Sequence, residues 1–364
     1  MTLHLYFARK FAVYFASVFS ILFIFCITAD LANQLRWYGD ITDFKTIVYL
    51  SLLSAPETVY TIMPLIMIFS SIWLFINLAQ SSELVVVRAS GRSGIAFLTG
   101  PIFVSFLIAS LVLTILNPIV AVTSETYLEE SNDLKSGGTS VISIGSDGLW
   151  LRQGDVDGYT VIRATSANAT GTIFFNVSFF TYLADGSPIQ RLEAKTAHLG
   201  AGEWRLYRVK QWPLTKHINP EVNSTTLGML KIPTDLTQDQ VKDRFEKPSS
   251  VPFWGLPATI EQLKSAGFSA RRHEVWLQAE IARPLFLIAM MLLGAAFSMR
   301  HTRVGGTGMA ILLAVIFGFA LFYVRNFAQV LGESGQLPIL IAVWTPPIAS
   351  LLFGLSIILH LEDG

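Results

Sequence analysis

A polar, glycine-punctuated stretch from Ser124 to Arg272 interrupts a chain of otherwise membrane-grade hydrophobicity, and this constrains the fold more than any motif does. Three apolar spans precede it: Phe11 to Ala29, Ile47 to Leu78 with Pro56 and Pro64 inside, and Gly94 to Val122, which carries no charge. Three follow it: one starting near Val275 and fully apolar from Pro284 to Met299, then Val304 to Tyr323, then Leu337 to Leu359. A helix needs about 20 apolar residues to cross hydrocarbon, and these runs supply them. Only 14% of the 364 residues are charged, against about 25% in a soluble domain. The expected fold is an α-helical membrane protein with six transmembrane helices and an antiparallel β domain inserted between helices 3 and 4. Residues 1–123 then hold the first three helices, 124–272 the β domain with a helical connector, and 273–364 the last three helices.

The first span follows Arg9 and Lys10, as a signal peptide would, but it exceeds a 7 to 15 residue signal core and no A-x-A-like site closes it. It reads as a retained span. Threading six spans alternately puts Arg9, Lys10, Arg88, Arg92, Arg300 and Arg303 on one side, which the positive-inside rule makes cytoplasmic. Both termini are then expected inside. The insert and the polar link holding Asp30, Arg36, Asp40, Asp43 and Lys45 are expected outside.

Turn signals at Asp147-Gly148, Asp157-Gly158, Asp185-Gly186 and Gly200-Ala201-Gly202 divide the insert into short strands. These are Ser140 to Ile144, Leu149 to Gln153, Tyr159 to Thr165, Thr172 to Leu183, Ile189 to His198 and Glu203 to Gln211. Such spacing suits a sandwich, jelly roll or open barrel. Ile173, Phe175, Val177 and Phe179 alternate with Phe174, Asn176 and Ser178, so the first set is expected to line the apolar interior. A phase slip among Trp204, Leu206, Tyr207 and Val209 predicts a bulge. From Pro233 onward the sequence turns polar and helical, with a capped turn at Thr237 to Gln240 and a short helix from Pro257 to Ala266.

Chemistry is scarce in the sequence. Lys+Arg and Asp+Glu both number 26, so no basic excess points to nucleic acid. Gly305-Gly306-Thr307-Gly308 lacks the lysine of a P-loop, and His273-Glu274 would begin a zinc motif whose second histidine position holds Leu277. The six histidines have no cysteine partners besides Cys26, so no metal site is expected. No nucleophile with its base stands out, and no enzymatic activity is assigned to this chain. Among membrane charges, Glu280 and Arg283 read as an i,i+3 pair near the outer interface and Arg325 as a side chain reaching the headgroups. Glu57 sits inside the second span, where an unpaired charge is costly.

On the inner side, Gln80 to Arg92 can form a short helix near 81–92, capped by Ser81 or Ser82, favoured by Glu83 and ended by Gly91. One reading is an interfacial loop helix with its valines in the headgroups. The other is a peg docking into a cytoplasmic partner through Leu84, Val87 and Arg88.

The run Ser82-Glu83-Leu84-Val85-Val86-Val87-Arg88-Ala89-Ser90-Gly91 resembles the hallmark segment of the lipopolysaccharide-export permeases, the LptF/LptG (YjgP/YjgQ-type) family. Pro56, Gly148-Leu149-Trp150 and the run ending Ala295-Ala296-Phe297-Ser298 agree with it, and the Glu83 and Gly148 segments look closer to the LptG branch. The resemblance covers the whole chain.

It implies a periplasmic jelly-roll-like β domain, an inner-membrane location and a subunit of an ATP-binding-cassette exporter. The implied partners are the paralogous permease LptF, a dimeric cytoplasmic ATPase LptB that carries ATP and Mg, membrane-anchored LptC, the bridge protein LptA, and lipopolysaccharide itself. Glu83 would be the charged contact to the ATPase, supported by Leu84, Val87 and Arg88. Arg36, Glu57 and Arg283 are the candidates for lipid contact, with Glu57 facing the cavity between the two permeases. Relatives commonly carry lysines near the outer end of span one, whereas here Arg36 is the nearest cation. Two alternatives share this architecture: a permease of another lipid or lipoprotein exporter, and a non-transporting scaffold for a periplasmic bridge.

Overall fold

The computed structural model describes residues 2–81, 83, 94–136, 141–145, 148–155, 158–168, 172–214, 219–234, 247–265, 269–299 and 307–363. The chain forms two compact units: Met1–Tyr127 with Glu274–Gly364, and Leu128–His273.

The first unit is helical and contains α1 (Thr2–Tyr38), α2 (Phe44–Gln80), a third span, α6 (Arg271–Ser298), α7 (Thr307–Glu333) and α8 (Ile339–Asp363). The third span is α3 (Gly94–Leu111), a π-helical turn (Val112–Leu116) and α4 (Asn117–Ser136). Six helical stretches among the described residues are long and apolar enough to cross a membrane, so this is a multi-pass membrane protein. α2 and α6 are the most buried of these spans and α1 the least. Small residues let the central helices approach closely, as expected where water does not drive association. A Cβ on Gly294 of α6 would lie 2.7 Å from Ser71 Cβ and 2.8 Å from the Ile68 carbonyl of α2. Beside it, Ser71 Oγ donates to the Met291 carbonyl at 2.6 Å.

The helices extend past the apolar runs. α1 continues from Ala29 to Tyr38, so Asp30 and Arg36 lie in the helix rather than in a link. Asp30 accepts a hydrogen bond from Ser54 of α2, Gln34 donates to the Tyr127 hydroxyl at 2.9 Å, and Arg36 in the last turn complements the helix dipole. Likewise α7 runs on beyond Tyr323 to Glu333.

The second unit is built on one antiparallel sheet whose strands follow sequence order: β1 (Val141–Gly145), β2 (Gly148–Asp155), β3 (Gly158–Ala167), β4 (Ile173–Leu183), β5 (Pro188–Leu199), β6 (Glu203–Pro213) and β7 (Thr225–Pro233). β7 has no counterpart among the sequence-predicted strands. The short helix expected at Pro257 is α5 (Leu256–Ser265); the turn expected at Thr237 to Gln240 lies outside the described residues.

A crease crosses this sheet. The buried positions are Ile162 and Ala164, then Ala167, in β3; Phe174, then Val177 and Phe179, in β4; Leu192 and Ala194, then Ala197 and Leu199, in β5; Trp204 and Leu206, then Val209, in β6. Each strand therefore changes the parity of its inward face once. The register places the change points, Thr165, Asn176, Lys195 and Arg208, opposite one another, with Gly228 completing the row in β7. Asn176 (φ 50°) and Arg208 (φ 55°) are left-handed there, which turns the following side chains to the other face. The pairing continues in register on both sides, so the slip near Val209 is a left-handed residue and not the expected bulge. It also corrects the interior face of β4: Phe175 is 38% exposed and Phe174 is buried in its place, while Val177 and Phe179 point inward and Ile173 is partly buried.

The crease folds the sheet over itself. Phe174 and Phe179 are separated by about 17 Å of extended strand at ~3.3 Å per residue. Yet the Trp204 indole lies 5.3 Å from one ring and 5.8 Å from the other. Gln153 of β2 accepts from Trp204 Nε1 at 3.3 Å and from Thr234 Oγ1 at 2.7 Å, which ties β2 to the far end of the sheet. The result is a buried apolar interior in a sheet of sequential strands.

Candidate functional site

Glu83 follows α2 by three residues, and its half-buried carboxylate is held by α1. Lys10 Nζ donates to both oxygens at 2.7 and 3.0 Å, Tyr6 OH donates at 3.0 Å and Ser81 Oγ at 3.1 Å. The Lys10 ammonium also sits 4.6 Å from the centre of the Tyr6 ring. Burial pushes the Glu83 carboxyl up, but the bonds from Lys10, Tyr6 and Ser81 outweigh it and hold the group below the ordinary 4.5. Partly exposed pairs of this kind add about 1 kcal/mol or less to stability, so the arrangement matters for position more than for energy. Leu84, Val87 and Arg88 lie outside the described residues. Sequence reading used Lys10 only for orientation and missed Tyr6; an N-terminal Tyr-x-x-x-Lys on one helical face was the available signal.

The three lipid-contact candidates are not brought together. Arg36 is exposed in the last turn of α1. Glu57 is partly buried in α2 and accepts from Ser124 Oγ of α4 at 3.0 Å. Arg283 is 3% exposed and Glu280 0% exposed, so the pair is buried among the helices of this unit. Arg283 donates to both Glu280 oxygens, Nη2 at 2.6 Å and Nε at 3.0 Å, while Nη1 reaches the Tyr60 carbonyl at 3.3 Å. Its guanidinium stacks 3.9 Å from the Tyr60 ring. Tyr60 OH donates to Glu280 and accepts from Asn117 Nδ2 at 3.1 Å. α2, α4 and α6 each contribute to this network, and the π turn immediately before Asn117 is a local distortion of the sort found where a helix must present a particular residue.

Arg325 is also turned inward. Because α7 continues eight residues beyond it, Arg325 lies within the helix, 9% exposed and 5.3 Å from the Phe286 ring, instead of reaching the headgroups. The signal for this cluster was the presence of Tyr60 and Asn117, two polar groups in otherwise apolar runs, which need partners when buried. Among the described residues, no group of three or more His, Cys, Asp or Glu is placed to hold a metal ion.

Comparison with known proteins gives a consistent result. The family model described as "Lipopolysaccharide export system permease LptF/LptG" matches residues 5–360, running through the helices on both sides of the sheet and the sheet itself. Similar proteins include the lipopolysaccharide export system permease protein LptG of Haemophilus influenzae, 25% identical over 334 residues, which are 88% of this chain and 87% of that protein. The protein of the same name from Escherichia coli K12 is 27% identical over 304 residues, 83% of this chain and 80% of its own length.

Proposed function

Because the chain belongs to the LptF/LptG family of lipopolysaccharide export permeases, we propose that it is the LptG-type permease of an ATP-driven exporter in the inner membrane of a Gram-negative bacterium. The family match across the helices and the inserted sheet together carries this reading. The chain pairs with LptF, and a dimer of LptB binds ATP and Mg and docks on the segment around Glu83, Leu84, Val87 and Arg88. Both termini are cytoplasmic and the β domain is periplasmic, where it meets LptC and the LptA bridge.

Lipopolysaccharide enters laterally from the outer leaflet into a cavity shared with LptF. Arg36 meets a lipid phosphate, for which a guanidinium offers two parallel hydrogen bonds, and Glu57 faces the cavity. Each acyl CH₂ taken out of hydrocarbon costs about 0.8 kcal/mol unless another apolar surface receives it. A folded sheet with an apolar interior suits the receiving role, and ATP hydrolysis in the partner supplies the remaining drive. α1, the least buried span, suits a moving lateral gate, while the α2–α6 core with its buried polar network suits a fixed frame.

The test is mass spectrometry of what copurifies with the tagged chain from native membranes in mild detergent, for wild type and Glu83→Ala. Recovery of a P-loop ATPase, a second six-span permease and lipopolysaccharide, with less ATPase in the variant, is the expected result. Recovery of the chain alone, or with an unrelated lipid, would overturn it.

A further inference from the structure

The solvent face of the sheet is built differently on its two halves. Beyond the crease, Arg205 of β6 and Lys231 of β7 both pair with Glu203, the ordinary arrangement for exposed charge. On the half towards the β2–β3 and β4–β5 turns, cations and aromatic rings alternate instead. The register sets Arg152, Val161, Phe180, Arg191 and Trp212 in one row across β2 to β6, with Trp150 opposite Arg163 on one side of it and Tyr159 opposite Tyr182 on the other. The Arg191 guanidinium lies 5.4 Å from the ring centres of both Phe180 and Trp212, and Lys210 Nζ lies 4.8 Å from that of Trp212. Arg152 sits 4.2 Å from the Tyr159 ring, which stacks on Tyr182 at 5.1 Å, and Arg163 sits 5.3 Å from the Trp150 ring.

The nearby carboxylates are already engaged. Glu193 pairs with Arg191, Glu221 takes Lys210 and the Trp212 indole nitrogen at 2.6 Å, and Asp185 closes its own turn on Ser187 N at 2.8 Å. Among the described residues no carboxylate pairs with Arg152, which rests on its ring in solvent. Such a surface offers flat apolar platforms with cationic donors between them, set in place before any ligand arrives. An acyl chain would leave the cations unpaired, and a bare anion would leave the rings unused. A sugar that carries phosphate uses both, since its C–H faces stack on rings and its phosphate takes paired donors from a guanidinium. We infer that this face binds the phosphorylated oligosaccharide of lipopolysaccharide, with Arg152, Arg191 and Trp212 as contacts. This rests on the proposed substrate and gives its sugar part a seat apart from the buried apolar interior of the sheet.

The test is calorimetric titration of the full chain in mild detergent with the oligosaccharide freed from lipopolysaccharide by complete deacylation. Saturable binding is expected, weakened at least five-fold by Arg152→Gln and further by Arg152→Gln/Arg191→Gln. Arg152 is exposed, so its loss of affinity is expected with the thermal midpoint unchanged. Removing the phosphates from the probe should weaken binding at least five-fold as well, and Trp212→Phe, which keeps a ring, should bind more tightly than Trp212→Ala. No saturation, unchanged affinity in Arg152→Gln/Arg191→Gln, or equal affinity for inorganic phosphate would overturn the inference. Equal affinity for a short-chain phosphatidylglycerol would also overturn it, by marking a surface for membrane headgroups. If intact lipopolysaccharide does not copurify with the wild-type chain, the export reading falls; if it does and the oligosaccharide still fails to bind, this inference alone falls.

Discussion

Breaking the Glu280–Arg283 pair is expected to destabilise the helical unit far more when one partner is removed than when both are. Glu280 is fully buried, and both its oxygens are used by Arg283 at 2.6 and 3.0 Å, with Tyr60 adding a further donor. Arg283→Met keeps the length of the side chain but leaves a carboxylate in an apolar interior with Tyr60 as its donor. Removing one member of a buried pair costs about 3–5 kcal/mol. Glu280→Gln should fall in the same range, because it leaves the buried guanidinium of Arg283 without its anion. In the double variant Glu280→Gln/Arg283→Met the buried carboxylate and its partner cation both disappear, and the introduced amide oxygen can still accept from Tyr60. The double should cost less than either single, a coupling of more than about 2 kcal/mol. The assay is reversible unfolding in mixed micelles, titrated with a denaturing detergent and followed by tryptophan emission. If the two single costs add to within about 0.5 kcal/mol in the double, the pair is not an energetic unit and the reasoning fails.

Three further outcomes are expected. Phe174→Ala should cost the β unit about 3–5 kcal/mol, as for a buried aromatic, whereas Phe175→Ala should stay near 0.5 kcal/mol; thermal unfolding of the two variants reads the crease directly, and equal losses would refute it. Gly294→Ala should destabilise the helical unit by about 1–3 kcal/mol, because the new Cβ meets Ser71 and the Ile68 backbone below 3 Å; the same micelle titration checks it. The hold on Glu83 should persist through neutral pH. Its folded value is depressed, so the contribution is complete above the ordinary 4.5 and is lost as pH falls through the lower folded value. Infrared difference spectra of wild type against Glu83→Gln should place the carboxylate midpoint below 4.5, and a midpoint at or above that value would contradict the geometry.

What could be read from the sequence follows from how local each signal is. Spans such as Phe11 to Ala29 are legible because hydrocarbon demands an unbroken apolar run. Their ends are not, since Asp30 belongs in a link until Ser54 is seen to partner it. β1 to β6 are announced by turn residues, but β7 is an edge strand with Gly228 at its centre and little burial, so its alternation is faint. Phe174 and Phe175 cannot be sorted by alternation, because the left-handed Asn176 reverses it just where two adjacent phenylalanines suit either phase, whereas at Arg208 the reversal shows as a phase slip among Trp204, Leu206 and Val209. Glu280 and Arg283 read as an i,i+3 pair near the outer interface, and only Tyr60, 220 residues from Glu280, shows that they are buried among the helices. For Glu83 the helix expected near 81–92 lies outside the described residues apart from Ser81 and Glu83, and the grip of Tyr6 and Lys10 depends on the fold bringing distant segments together.

The central claim is that this chain helps move lipopolysaccharide out of a membrane at the expense of ATP. The most direct measurement reconstitutes it in liposomes with the permease and ATPase proposed as its partners, supplies labelled lipopolysaccharide, and follows transfer to a soluble periplasmic bridge protein. Transfer that requires ATP and Mg, and that drops sharply with Glu83→Ala, is the predicted result. Transfer that proceeds equally without ATP, or ATP hydrolysis with no lipid leaving the vesicle, would contradict the account.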